Sequence, residues 1–171
     1  MSTIRIKLGD ITKFNGDAIV NAANKTLLGG GGVDGAIHQA AGAQLLAECK
    51  TLHGCKTGEA KITKGYLLPA KYVIHTVGPI YSNSPSDPVK LAQCYVNSLN
   101  IALKNNIHTI AFPAISTGVY HYPVKQATKT AVKTVKEWIA KHLDYNLNVT
   151  FMCYDSKTEK CYQSELNSDT N

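Results

Sequence analysis

The sequence predicts an α/β sandwich in which helices cover both faces of a central sheet. Segments with strand-like patterns alternate with segments of helical periodicity along the whole chain, and this alternation is typical of α/β domains. Ligands of such sheets bind beyond the carboxyl ends of the strands, so the loops that leave strands and enter helices are the first candidates for a site. The 171 residues suit one domain, which we expect to span residues 1–166 and to be followed by a polar tail at 167–171.

The spacing of apolar residues places each element. Ile4, Ile6 and Leu8 alternate with polar residues, which predicts a first strand with one solvent-exposed face. Further strands are predicted at 18–20, 59–64, 72–76, 109–114 and 147–153. Helices are predicted at 33–52, at 89–104, from Pro123 onward and at 155–166. The stretch 82–88, rich in serine and proline, is predicted to be an exposed loop.

The composition excludes several classes of protein. No apolar run reaches the length of about 20 residues that a membrane span needs, and the N-terminal residues lack the pattern of a secretion signal. The five cysteines are odd in number and form no CxxC pair, so we expect reduced thiols rather than a disulfide framework or a zinc site. These features predict a cytoplasmic protein without membrane association.

The net charge of +6 comes almost wholly from lysine, because Arg5 is the only arginine. A positive field steers anionic ligands toward a protein. Specific recognition of nucleic acid relies largely on arginine, whose planar guanidinium makes paired contacts. We therefore expect an anionic ligand, with only weak binding of nucleic acid.

A glycine-rich loop follows the second predicted strand. It carries four consecutive glycines at 29–32 and leads directly into the helix predicted to start at Val33. Glycines expose backbone amides, permit close approach of a ligand and tolerate positive φ, while a helix N-terminus favours anions. The loop lacks the GK[ST] ending of a P-loop and the GxGxxG pattern of a dinucleotide fold. An anion-binding loop and a flexible connector both remain open.

Asp34 and His38 stand at the start of that helix. Their spacing of four places them on one helical face, where the pair can orient and activate a water molecule beside the exposed amides. Each has a simpler alternative, because Asp34 can serve as the N-cap and His38 as a buried structural histidine.

Three further features point to a nucleotide. The strand at 109–114 is followed by Ser116–Tyr120, a second candidate anion-binding loop, and two such loops after separate strands indicate a diphosphate. Asp10 follows the first strand, where a carboxylate can accept a hydrogen bond from an exocyclic amine. Tyr154 ends the last strand, where its ring can stack on a base. The alternatives are a capping turn for Asp10 and ordinary packing for Tyr154.

Taken together, these segments resemble the macrodomain family. The matching motifs cover nearly the whole chain, and they are GDIT at 9–12, NAAN at 21–24, GGGGVDGAIH at 29–38, HTVGP at 75–79 and FPAISTGVY at 112–120. The third and fifth motifs resemble the MacroD-type branch, which includes O-acetyl-ADP-ribose deacetylases and mono-ADP-ribosyl hydrolases. The resemblance implies a three-layer αβα sandwich around a mixed, mostly parallel sheet, with ADP-ribose in a cleft at the strand ends.

The resemblance also implies a role for each matching residue. Asp10 would bind the adenine amino group, Ile11 would contact the ring and Tyr154 would stack on it. Asn24 would bind a distal ribose hydroxyl, and Asp34 would position or activate the attacking water with His38 as a helper. The diphosphate and distal ribose would lie between two sets of loop residues, which are Gly30, Gly31, Gly32 and Val33 on one side and Ser116, Thr117, Gly118, Val119 and Tyr120 on the other.

The implied activity is hydrolysis of an ester on the distal ribose, releasing acetate or a protein Asp or Glu side chain without a metal ion or cofactor. Water would be activated by Asp34, by a ligand phosphate or by both. The implied partners are ADP-ribose, ADP-ribosylated proteins and ADP-ribosylated nucleic acid ends, and we expect a monomer. A non-catalytic ADP-ribose reader is the alternative. His121 replaces the glycine that relatives often carry, which leaves the placement of Tyr120 open.

Overall fold

A six-stranded sheet forms the centre of the computed structural model, which describes residues 1–168. Its strands are β1 (Thr3–Leu8), β2 (Ala18–Ala22), β3 (Ala60–Lys64), β4 (Tyr72–Thr76), β5 (Thr109–Phe112) and β6 (Asn148–Cys153). They lie in the order β1-β6-β5-β2-β4-β3. Only the β3–β4 pair is antiparallel among the strands of residues 1–168, so the sheet is mixed and mostly parallel, as expected.

Helices cover both faces of this sheet, which confirms the three-layer sandwich. The helices are α1 (Gly32–Ala41), α2 (Ala43–Lys50), α3 (Ser86–Lys104), α4 (Val124–Lys141) and α5 (Ser156–Ser168). Helices α1 and α2 pack on one face, and α3, α4 and α5 pack on the other. Adjacent strand residues alternate between the two cores, so that Ile19 faces α1 and α2 while Ala18 and Val20 face the opposite layer.

The single helix predicted at 33–52 is wrong, because the chain forms two helices there. Gly42 separates α1 from α2 and has a φ of 89°, a conformation that interrupts an α-helix and that glycine adopts without a steric penalty. The apolar periodicity continues across the break, since Ile37 on α1 and Leu45 and Cys49 on α2 are all fully buried in the same core. The pattern of burial was therefore predicted correctly, but the continuity of the helix was not.

The exposed loop predicted at 82–88 is wrong in part. Helix α3 already begins at Ser86, and Asp87 in its first turn is only 4% exposed. The Asp87 carboxylate accepts hydrogen bonds from the backbone N–H groups of Ser82 at 2.9 Å and Ser84 at 3.1 Å, and so fixes the chain that enters the helix. A proline at position 88 is compatible with this assignment because a helix tolerates proline in its first turn.

The remaining elements agree with the predictions to within a few residues. Helix α5 continues to Ser168 and so extends past the predicted domain boundary at 166, whereas 169–171 of the predicted tail lie outside the described residues. None of the helices in residues 1–168 has both the length and the apolar character needed to cross a bilayer.

Candidate functional site

The carboxyl ends of five parallel strands meet at one edge of the sheet, and the predicted site residues lie in the loops at this edge. The loop after β1 carries Asp10, and Tyr154 directly follows the adjacent strand β6. The two segments are joined by a hydrogen bond from the Gly9 N–H to the Cys153 carbonyl at 2.9 Å. Next along the edge come the loop after β5 and then the loop after β2. The distance from β1 to β2 is three strand spacings, or about 14 Å.

Asp10 and Tyr154 form one end of this edge. Asp10 is exposed, and its Oδ1 accepts from the hydroxyl of Thr12 at 2.8 Å and from its N–H at 2.9 Å, which lowers the pKa of the carboxyl. Asp10 thus caps the short 3₁₀ turn Ile11–Lys13, and the capping alternative is present alongside a carboxylate that faces solvent. The side chain of Tyr154 is 91% exposed, so ordinary packing does not explain it and its ring is accessible for stacking.

The Ile11 side chain is mostly buried, and its expected contact with adenine stays a prediction. Its side chain is only 5% exposed and packs in the core beneath α1 and α2. Little of its apolar surface is left for a ligand, so Ile11 mainly anchors the turn that carries Asp10.

The loop after β5 is held in a fixed shape by its own hydrogen bonds. The N–H groups of Tyr122 and His121 donate to the carbonyls of Ser116 and Gly118 at 2.9 and 3.0 Å, and the Thr117 hydroxyl donates to the Ala114 carbonyl at 2.8 Å. Because the ends of the loop are tied in this way, its tip at Gly118 and Val119 projects outward, and Val119 is 83% exposed.

Two other residues of this loop face the protein interior or its neighbours. Ser116 has a φ of 68°, and its buried hydroxyl has no hydrogen-bond partner among residues 1–168. The Tyr120 carbonyl accepts from the N–H of Tyr81 at 2.9 Å, which attaches the loop to the segment after β4. His121 has a φ of 58°, so this chain carries a side chain at a position whose backbone favours glycine.

The glycine-rich loop lies beside this second loop, since β2 and β5 are neighbours. Gly29 and Gly32 have φ values of 95° and 58°, as the expectation of positive φ required. The N-cap of α1 is Gly31, which offers no capping side chain. The first N–H groups of a helix have no partner within it, so those at the start of α1 are available to an anion. A Cβ added at Gly31 or Gly118 would meet no protein atom within 4 Å, so both loops border open space.

Asp34 lies in the first turn of α1 and is not its N-cap. Only 4% of Asp34 is exposed, and its Oδ1 accepts a hydrogen bond from the Asn21 side-chain amide at 2.9 Å. The Nε2 atom of His38 is 3.4 Å from the same oxygen, which confirms that Asp34 and His38 share a helical face. The alignment of that contact does not make a hydrogen bond, and His38 Nε2 has no other partner within residues 1–168.

Asn24 and Asp34 both lie next to Gly30. A Cβ built on Gly30 would lie 3.2 Å from Asp34 Oδ2 and 3.3 Å from Asn24 Nδ2, so both polar atoms flank the same point of the backbone. The Asn24 amide also shapes the loop, since Nδ2 donates to the Gly29 carbonyl at 3.0 Å and Oδ1 accepts from Thr26 Oγ1 at 2.7 Å. One Nδ2 hydrogen is enough for the Gly29 bond, so the second is available to a ligand.

Sequence reasoning assigned no role to Asn21 or His75, although both stand in the motifs quoted above. They are neighbours on β2 and β4, fully buried, and their side chains meet at 3.1 Å. Burial lowers the pKa of His75 to about 3, with a smaller contribution from nearby His38. A polar residue inside a buried strand is the signal that could have identified them, because such groups are costly unless hydrogen-bonded.

Two surface grooves of about 490 and 420 Å³ lie between α3, α4 and the 81–85 segment, and neither contains a predicted site residue. Within residues 1–168, no three His, Cys, Asp or Glu side chains are grouped so that they could hold a metal ion. The carboxyl edge of the sheet is thus the place where the predicted residues converge.

Proteins from other organisms have similar sequences. A family model described as Macro domain matches residues 20–131. A Macro domain-containing protein from Lactiplantibacillus plantarum is 52% identical over 172 residues and is covered completely, as is this chain. The protein named ADP-ribose glycohydrolase MACROD2 from Xenopus laevis is 56% identical over 161 residues, which make up 93% of this chain but only 38% of that protein.

Solved structures show the same fold with nucleotides bound. A mutant macrodomain from Oceanobacillus iheyensis with ADPR superposes with a TM-score of 0.93 at 40% identity, covering 98% of this chain and 93% of that one. The Trypanosoma brucei macrodomain in complex with ADP-ribose has a TM-score of 0.92 at 45% identity, covering 96% and 69%. The sequence motifs, the sheet order and these comparisons agree, and the chain belongs to the macrodomain family.

Proposed function

We propose that this protein binds ADP-ribose at the carboxyl edge of its sheet and hydrolyses esters on the distal ribose. The substrates would be O-acetyl-ADP-ribose and proteins that carry mono-ADP-ribose on Asp or Glu. The observation that carries the proposal is that Asn24 Nδ2 and Asp34 Oδ2 lie 3.3 and 3.2 Å from one point, the position of a Cβ at Gly30, next to the N-terminus of α1. A hydrogen-bond donor, a carboxylate and an anion-binding helix end are the groups that such a reaction needs in one place.

The order of the loops along the edge fits the parts of ADP-ribose. Tyr154 and Asp10 would take adenine at the β1–β6 end, and the amides of the Gly118 loop and of the α1 N-terminus would take the diphosphate. The distal ribose would then lie over β2, beside Asn24 and Asp34. In this arrangement the adenine at one end of the ligand would meet an exposed aromatic ring, and the charged diphosphate in its middle would meet backbone N–H donors.

The chemistry we assign to Asp34 is the positioning and polarisation of water. Its Oδ1 is held by Asn21, so Oδ2 is the oxygen left to accept a hydrogen bond from the attacking water. The water oxygen adds to the ester carbonyl carbon, the bond from that carbon to the ribose oxygen breaks, and the ribose oxygen takes up a proton. The products are a carboxylic acid and ADP-ribose, and no cofactor enters this balance. His38 would act on the same carboxylate through its contact with Oδ1.

A non-catalytic ADP-ribose reader is the second candidate, and one observation favours it. Asp34 is almost completely buried and one of its oxygens is already hydrogen-bonded, which are features that a purely structural carboxylate also shows. The reader would use the same cleft and the same adenine and diphosphate contacts, and it would differ only in turnover.

The two functions are separated by the turnover of the Asp34→Asn variant, which keeps the shape of the side chain and removes its charge. We expect wild type to release ADP-ribose from O-acetyl-ADP-ribose and from a Glu-modified protein, and the variant to do so at least about 100-fold more slowly. Asp144→Asn is the matched control, because it makes the same change in charge at an exposed residue between α4 and β6, at the opposite edge of the sheet. Tight ADP-ribose binding without wild-type turnover would establish the reader instead.

Labelled water identifies the bond that breaks. When the reaction runs in ¹⁸O water, cleavage between the acyl carbon and oxygen places the label in the released acid, whereas cleavage at the ribose carbon places it in ADP-ribose. Our proposal requires the label in the acid. A released Glu side chain without label would replace ester hydrolysis with cleavage of a glycosidic bond at the same site.

A further inference from the structure

A chain of buried polar side chains extends from Asp34 across the sheet to its edge strand. Asn21 on β2, His75 on β4 and Thr63 on β3 point toward the layer covered by α1 and α2, whose other residues are largely apolar. Asn21 and His75 are register partners, and Thr63 lies diagonally across from His75 on the antiparallel strand. The proposed function uses Asp34 and does not account for the three residues behind it.

The hydrogen atoms of this chain can be assigned in only one order. The Asn21 Nδ2 group donates to Asp34 Oδ1 at 2.9 Å and contacts His75 Nδ1 at 3.1 Å. An amide nitrogen donates two hydrogen bonds and accepts none, so Nδ1 of His75 has to be the unprotonated nitrogen. The amide cannot be reversed, because its oxygen would then face the Asp34 carboxylate.

The remaining bonds follow from this tautomer. His75 carries its proton on Nε2, which donates to Thr63 Oγ1 at 2.9 Å, and the Thr63 hydroxyl donates to the Lys64 carbonyl at 3.1 Å. The Cys49 sulfur lies 3.8 Å from the same Nε2 and is a thiol, since burial raises its pKa to about 11. The bonds from Asn21 to His75 to Thr63 to the Lys64 carbonyl thus all run away from Asp34, and the series ends at the β3 backbone.

The Asn21 carbonyl oxygen has no partner in the part of the chain described here, although it is buried. An unpaired buried oxygen costs free energy. The position of Asn21 therefore does not satisfy its carbonyl oxygen. It is explained by the two hydrogen bonds of its nitrogen, to Asp34 and to His75.

We propose that Thr63 and His75 are positioning residues that act through the Asn21 amide to hold the Asp34 carboxylate in the orientation that leaves Oδ2 free for water. This role rests on the proposed function of Asp34. Neither residue touches the substrate. Their effect is to stop the carboxylate from rotating, and it is measured in the chemical step rather than in the binding of ADP-ribose.

The test compares Thr63→Val with Thr63→Ser. Valine keeps the shape of threonine and removes the acceptor for His75, whereas serine keeps the hydroxyl. We expect Thr63→Val to lower kcat about 10-fold, the effect of one lost hydrogen bond, with an unchanged Kd for ADP-ribose, and Thr63→Ser to retain the wild-type kcat. Thr150→Val is the control. Thr150 is a buried threonine of β6 on the same face of the sheet, and it takes no part in the hydrogen bonds that connect Asp34 to Thr63.

A double-mutant cycle with Asp34→Asn identifies the residue through which Thr63 acts. If Thr63 works by orienting the Asp34 carboxylate, Thr63→Val has no further effect on the residual rate when that carboxylate is absent. Equal effects in both backgrounds, or a Thr63→Val variant as active as wild type, would overturn the inference and leave the proposed function intact.

The tautomer of His75 gives a readout that needs no variant. Long-range ¹H–¹⁵N correlation on the wild-type protein should show a proton on Nε2 and none on Nδ1. A proton on Nδ1 would overturn the inference directly, because His75 could then not accept the second hydrogen bond of the Asn21 amide. Absence of wild-type turnover would instead refute the proposed function and, with it, the purpose assigned to this chain.

Discussion

Acid should destabilise this protein through His75 before it affects the carboxylates. The burial of His75 lowers its pKa to about 3, whereas a histidine in the unfolded chain titrates near about 6.5. The neutral side chain therefore contributes stability that is complete above the unfolded pKa and is lost as the pH falls toward the folded pKa. The variant that removes this dependence is His75→Gln, which cannot take up a proton.

The magnitude follows from proton linkage. As the pH falls from about 7.5 to about 5, the excess of protons bound by unfolded over folded His75 rises from about 0.1 to nearly one, and integration over that interval gives a loss of about 2 kcal/mol in the free energy of unfolding. The carboxyls of Asp10, Asp87 and Asp155 have pKa values lowered from 3.8, so their losses come at lower pH and do not enter this interval.

The assay is urea unfolding of wild type and His75→Gln at both pH values. We expect His75→Gln to be less stable at neutral pH, since it alters a buried hydrogen-bonded residue, but to lose about 2 kcal/mol less than wild type on acidification. Equal losses in the two proteins would refute the claim that His75 is held neutral, and with it the hydrogen-bond order of the chain behind Asp34.

Three further outcomes test the binding cleft. Tyr154→Ala should weaken ADP-ribose binding about 10-fold by calorimetry, as expected for one lost stacking contact. It should leave the melting temperature unchanged, because the ring is almost fully exposed. Unchanged affinity would contradict the stacking role. Gly118→Val should leave the fold intact, since no protein atom lies near a Cβ there, and should weaken ADP-ribose binding by at least about 10-fold. Wild-type affinity would contradict the assignment of the diphosphate to the Gly118 loop. Gly35→Ala should lower both the melting temperature and the affinity for ADP-ribose, because its Cβ would collide with the Gly30 carbonyl of the glycine-rich loop. A variant with wild-type stability would show that the loop can move aside.

The fold was predictable because the apolar pattern of each element is strong. Strands such as β2 and β5 are short apolar runs, and both faces of the sheet are buried as such runs indicate. The break at Gly42 was missed because the residues on either side keep one helical periodicity, so that only the φ of Gly42 distinguishes two helices from one. Asp87 was missed because the composition of 82–88 is that of a loop, and the hydrogen bonds that bury its carboxylate are tertiary.

The outline of the site was predictable from motifs, but the environment of each residue was not. The pairing of Asp34 with His38 follows from helical spacing, and the structure bears it out. The burial of Asp34 and Ile11 depends on how α1 and the 3₁₀ turn pack on the sheet, which no local pattern states. The contact of Asn21 with His75 requires the register of β2 against β4, and register is a property of the assembled sheet.

The most direct test of the account is a single-turnover measurement with enzyme in excess over O-acetyl-ADP-ribose, because it isolates ester cleavage in the bound complex from binding and product release. We predict that Asp34→Asn lowers this first-order rate constant at least about 100-fold, corresponding to about 2.7 kcal/mol of barrier, while its Kd for ADP-ribose stays close to that of wild type. An Asp34→Asn rate constant equal to that of wild type would contradict the assignment of this carboxylate to the chemical step.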